Sequence, residues 1–125
     1  MKTLFLVYLI VEVLFGIGFL VAPGQLMAPM GVTLDETATT FARLLGTLIL
    51  SIPVLLFFAR KSSSSEFKAG VVYSVFVYLL LSTILLLNTQ LKGLMNSMGW
   101  GIVILHFVFM IWFAYYGLTL RITNK

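Results

Sequence analysis

Long apolar runs broken by short polar stretches organise this chain. A helix needs about 20 mostly apolar residues to cross a bilayer, and four segments meet that length: residues 3–22, 38–59, 69–87 and 99–120. Glu12 interrupts the first, Arg43 the second, and His106 sits inside the fourth. The pattern predicts an all-α membrane protein, an antiparallel four-helix transmembrane bundle forming a single domain over residues 1–125. The first run is too long for a signal-peptide apolar region and carries an acid, so it reads as a span.

The connections are short. Pro23-Gly24 ends the first helix. Leu26, Met27 and Met30 then give an apolar edge to a stretch expected to lie among headgroups. Thr33-Leu34-Asp35-Glu36 fits a capping box and predicts a helix start near Leu34. Ser62 to Ser65 predict a flexible polar hairpin. Asn88, Gln90 and Asn96 read as loop and cap residues. Pro53, in the middle of the second span, predicts a static kink.

Composition agrees with this picture. Hydrophobic residues make up 61% of the chain and charged residues 10%, against about 25% charged in soluble domains. There is no cysteine, which removes disulfides, thiolate metal sites and thiol nucleophiles. The net charge of +4 does not indicate nucleic acid, because the basic residues lie between apolar runs, where topology accounts for them. Lys2, Arg60, Lys61, Lys68, Arg121 and Lys125 fall on one side and only Lys92 on the other. The bias puts both termini in the cytoplasm, in a cell (inner) membrane. Trp100 at one interface and Tyr8, Tyr73, Tyr115 and Tyr116 towards the other agree with that orientation.

Ionisable residues within a span face the bundle interior or find partners. From a rise of about 1.5 Å per residue, Arg43 lies roughly 7–8 Å, His106 roughly 9–10 Å and Glu12 roughly 15 Å below the outer ends of their spans. All three fall in the outer half. Thr40, Thr47 and Ser51 share the Arg43 face, Gly46 permits close helix approach, and Tyr8 lies one turn from Glu12. These residues predict a Glu12–Arg43 ion pair between the first two spans. They also predict a polar pocket of Glu12, Arg43 and His106, with Tyr8, Thr40, Thr47 and Ser51 as secondary lining. His106 alone reads as a hydrogen-bonded packing residue. Two ligating side chains do not make a metal site. With no phosphate loop, triad or zinc motif, the chain is expected to be neither an enzyme nor a cofactor carrier.

Two family likenesses follow. Phe15-Gly16 to Pro23, then Met30-Gly31-Val32-Thr33-Leu34 and Phe41-Ala42-Arg43-Leu44-Leu45-Gly46, with Gly99-Trp100 and His106-Phe107, resemble small four-span bacterial proteins near the DoxX-like group, many of unknown function. The resemblance implies a non-enzymatic membrane protein; the redox link of some relatives is not carried over to a chain without cysteine. Glu12-Val13 in the first span also looks similar to the small multidrug resistance transporters, in which such a Glu exchanges protons for a cationic substrate. Two features depart from that family: Arg43, expected to neutralise Glu12, and the lack of its glycine and tryptophan pattern in the third span. The expected partners are the lipid bilayer and a small amphipathic or anionic ligand. A second copy of the chain, or a larger membrane complex that it serves as an accessory subunit, is the further expectation.

Overall fold

The computed structural model describes the backbone of residues 1–123 and the side chains through Leu120. Within these residues the chain is helical: α1 (Lys2–Val21), a short α2 (Pro23–Met27) followed by one 3-10 turn (Ala28–Met30), α3 (Glu36–Lys61), α4 (Ser65–Leu91) and α5 (Gly99–Thr123). Four of them, Lys2–Val21, Glu36–Lys61, Ser65–Leu91 and Gly99–Leu120, are long and apolar enough to cross a membrane. Their outward faces are apolar too: Leu14, Phe41, Leu48, Leu81, Leu85 and Leu118 are each more than half exposed.

Local hydrogen bonds set the ends and differ from expectation in three places. α3 starts one residue after Asp35, not near Leu34, because Asp35 Oδ1 accepts from the Ala38 N–H at 2.7 Å. Asp is a strong N-cap, and it displaces the Thr33 capping box. The serine run is a cap, not a slack linker: Ser64 Oγ accepts from the Phe67 N–H at 3.1 Å, and Ser62 Oγ accepts from the Ser64 N–H at 3.0 Å. α4 therefore begins at Ser65. At its other end α4 runs through Asn88 and Gln90 to Leu91 and stops where Gly93 takes a left-handed φ of 70°. Glycine adopts that conformation without a Cβ clash. Pro53 is buried within α3, which continues to Lys61.

Glycines bring α1 and α3 together. A Cβ on Gly46 would stand 2.7 Å from the Leu20 nitrogen and 2.9 Å from the Gly16 carbonyl oxygen, so backbone meets backbone there. A Cβ on Gly16 would meet Leu50 Cγ at 2.7 Å. Small residues allow this approach, as at many membrane helix pairs. α4 and α5 form the second close pair, tied by the Tyr73 hydroxyl donating to the Gly117 carbonyl at 3.0 Å.

The two pairs meet in a core of Leu4, Phe5, Tyr8, Leu56, Val72 and Phe113 near the end that holds the N-terminus and the α3–α4 turn. Tyr8 packs on Phe109 and Phe113 at centroid distances of 4.8 and 5.1 Å. Asn96 clasps the opposite, loop end. Its backbone N–H donates to Met30 O and its Nδ2 to Pro29 O, each at 2.9 Å, while its own carbonyl accepts from Gln90 Nε2 at 3.0 Å. The Arg121 and Lys125 side chains, counted in the charge bias, lie outside the described residues.

Gly46→Ala is expected to destabilise the detergent-solubilised protein by about 1–3 kcal/mol, the usual cost of overpacking. Gly24→Ala, with nothing within 4 Å of the new Cβ, should leave the melting temperature unchanged or slightly raised. Thermal melts of both variants against the parent check the pair.

Candidate functional site

Above the aromatic core, between the two helix pairs, the packing opens into a cavity of about 210 Å³. An apolar cavity of about 150 Å³ can hold benzene, so this one has room for a ring with a short chain. Its polar lining is small: Tyr8 and Glu12 from α1, Tyr78 and Ser82 from α4, and His106 from α5. The rest is apolar, with Phe15, Phe19 and Phe109 among the lining residues and Leu45 and Ile49 closing it from α3. Glu12 stands nine residues before the end of α1, or about 13 Å from the loop end at 1.5 Å per residue.

Glu12 is 6% exposed. Its Oε2 and the Tyr8 hydroxyl are both buried without a hydrogen-bond partner. A buried polar atom without a partner is costly. Here the two lie one helical turn apart on one wall of the cavity, near enough for their side chains to interact with each other, and neither has a partner on another helix. His106 Nδ1 lies 2.9 Å from the Ile102 carbonyl. A carbonyl only accepts, so Nδ1 carries the hydrogen, and in the neutral ring Nε2 is left as an acceptor. The ring also packs near Tyr78, at 6.4 Å between centroids.

The structure therefore brings together Glu12, His106 and Tyr8 from the expected set and separates Arg43, Thr40, Thr47 and Ser51 from it. The Glu12–Arg43 ion pair does not form: Arg43 is exposed on the outward face of α3. Its rotation is set by Gly46, whose backbone contact with α1 turns Leu45 and Ile49 towards the cavity and Arg43 away from it. Thr40, Thr47 and Ser51 are exposed as well, and their hydroxyls donate to their own helix at Glu36 O, Leu44 O and Leu48 O. That local bonding satisfies them without a neighbour.

Tyr78 and Ser82 were not among the expected residues, although the sequence holds a signal for them. Glu66, Gly70, Ser74, Tyr78 and Ser82 recur at every fourth position of α4, which places them on one face. The first four line an open groove of about 510 Å³ between α3 and α4, and Tyr78 borders the cavity as well. Tyr78 thus stands between groove and cavity. Among the described residues no group of three or more His, Cys, Asp or Glu side chains could hold a metal ion.

With no ion pair to break, Glu12→Gln should leave the melting temperature unchanged or raise it, since it removes a buried charge-bearing group of the same shape. Arg43→Gln should shift stability by less than about 0.5 kcal/mol, as at other surface positions. The double variant should equal the sum of the two. A coupling measured in that cycle would show that the two residues do interact.

Comparison with known proteins adds the family. A family model described as a domain of unknown function (DUF8292) matches residues 6–124. No curated protein and no solved structure matches the chain.

Proposed function

The chain belongs to the DUF8292 family, and from its geometry we propose a non-enzymatic, multi-pass membrane protein that binds a small amphipathic molecule inside an antiparallel four-helix bundle. The observation that carries this reading is the Glu12 carboxyl, buried without a hydrogen-bond partner for Oε2 in a cavity that is otherwise largely apolar. Among the described residues no lysine or arginine lines the cavity. The ligand must therefore bring the positive charge or hydrogen-bond donor itself. Aromatic walls and one carboxyl favour an aryl or alkyl amine over the anionic ligand expected when Arg43 was placed in the pocket. Glu12 is the anchor, Tyr8, Tyr78 and Ser82 orient the head, and His106 offers Nε2 as a second acceptor. The groove between α3 and α4, with Tyr78 at its inner end, supplies a lateral way in from the bilayer.

The membrane part of the reading rests on four apolar helices with apolar outward faces. It includes an inner-membrane location and cytoplasmic termini, from the distribution of basic residues. In this frame the loop end is the outer one. Arg43 leans towards it, because helical side chains tilt towards the helix N-terminus, and snorkels to the headgroups. The likeness to the DoxX-like group belongs to the same proposal.

A second reading gains from the same geometry. Arg43 does not neutralise Glu12, so one departure from the small multidrug resistance pattern disappears. Proton exchange at Glu12 coupled to movement of a cationic amine would follow from such a site.

A probe tests the anchor. 2-Phenylethylamine, followed by saturation-transfer NMR on detergent-solubilised protein, should bind, and Glu12→Gln should weaken it about ten-fold or more through loss of a buried charge pair. Its neutral isostere propylbenzene should bind both proteins alike. Equal amine binding by parent and variant would sink the reading. In proteoliposomes, amine uptake driven by a pH gradient separates a transporter from a binding protein.

The absence of cysteine makes topology testable with single introduced thiols. Ser97→Cys should react with a membrane-impermeant maleimide from outside intact cells. Ser63→Cys should react only after permeabilisation. The reverse pattern would invert the orientation.

A further inference from the structure

Four cations converge at the terminus end of the bundle. Lys2 comes from the first turn of α1, Arg60 and Lys61 from the last turn of α3, and Lys68 from the start of α4. With Ser62 and Ser63 they line one open recess of about 570 Å³, and among the described residues no carboxylate lines it. Glu66, the acid in the first turn of α4, borders the neighbouring α3–α4 groove. The recess is therefore a concentration of one sign of charge, with no counter-charge among the described residues of its lining.

Two further features distinguish it from a scatter of surface lysines. Arg60 Nε is buried and has no hydrogen-bond partner. A guanidinium N–H held out of water wants an acceptor, and phosphate oxygens fit its planar fork. The second feature is the backbone. α1 and α4 both begin at this end, and no side chain caps the first turn of α1. Free N–H groups and the positive ends of the helix dipoles add to the same attraction. Lys61 Nζ sits 4.1 Å from the Phe57 ring centroid, so it borders the recess with its charge partly held by that ring. The height matters too. These residues occupy the very ends of apolar helices, where headgroup phosphates lie if the helices cross a bilayer.

We infer that this recess binds the phosphate of an anionic phospholipid headgroup, with Arg60 as the hydrogen-bonding anchor and Lys2, Lys61 and Lys68 as the surrounding charge. The inference rests on the membrane part of the proposed function and is independent of the Glu12 cavity. The thiol-labelling pattern tests the membrane reading separately, so the two can fail separately.

Native mass spectrometry of the full chain, released from detergent with equimolar phosphatidylglycerol and phosphatidylcholine, tests it. Retained phosphatidylglycerol should exceed phosphatidylcholine about five-fold or more, the order expected for even one basic residue near an anionic surface. Arg60→Gln with Lys68→Gln should bring the two lipids towards parity. Arg60→Lys, which keeps the charge and loses the fork, should fall between. If the double variant does not fold, Lys2→Gln with Lys61→Gln, both at exposed positions, reads the same preference. Equal retention of the two lipids by the parent would overturn the inference, as would an unchanged preference in the folded variants. Millimolar inorganic phosphate distinguishes the source of the phosphate. Retention of phosphatidylglycerol in its presence supports the lipid, and displacement would overturn the lipid in favour of a free anion.

Discussion

Gly46 has no room for a side chain, and that exclusion decides which way α3 faces. With its backbone against Leu20 and Gly16, α3 cannot rotate without parting from α1. The placement of four polar side chains on α3 follows from this. Arg43, Thr40, Thr47 and Ser51 are held to the outward side, and Leu45 and Ile49 close the cavity. Glu12, on the helix at the other side of the contact, is left without a cation. A protein that used an arginine to satisfy its buried acid would have a packed bundle and no site. Here the arginine is kept away, and the acid faces a largely apolar cavity.

The bundle divides along its length. At the terminus end Phe5, Tyr8, Phe109 and Phe113 fill the space between the helix pairs. Towards the loop end the same seam opens into the cavity. Tyr8 belongs to both, its ring packed in the core and its side chain also lining the cavity beside Glu12. One end is filled while the other holds space. Asn96 joins the two loops at that end through its backbone N–H to Met30 O and its side-chain Nδ2 to Pro29 O. The charged recess lies beyond the filled end, so the cavity and the recess do not compete for the same packing.

Much of the architecture was legible because the constraint behind it is one of length and polarity. Twenty apolar residues in a row have few folds open to them, and the four long helices are those read from the runs. Helix ends were less legible. Asp35 and Thr33 are both good caps, and Ser62 to Ser65 offer several; which one takes the hydrogen bond depends on how the chain enters the helix. The candidate site was legible in part. Glu12, His106 and Tyr8 line the cavity, and each drew attention as a polar side chain inside or beside an apolar run. Tyr78 and Ser82 were overlooked because tyrosine and serine are cheap to place anywhere, and their four-residue spacing gains meaning only beside Glu12.

The sequence by itself determined the number of apolar helices, their approximate limits and the identity of the one acid inside the apolar runs, because burial and backbone satisfaction depend on local runs of residues. The tertiary structure alone decided what that acid faces. A helix presents all its sides to the reader of a sequence, and only the contact at Gly46 shows that the face bearing Arg43 turns outward, away from Glu12.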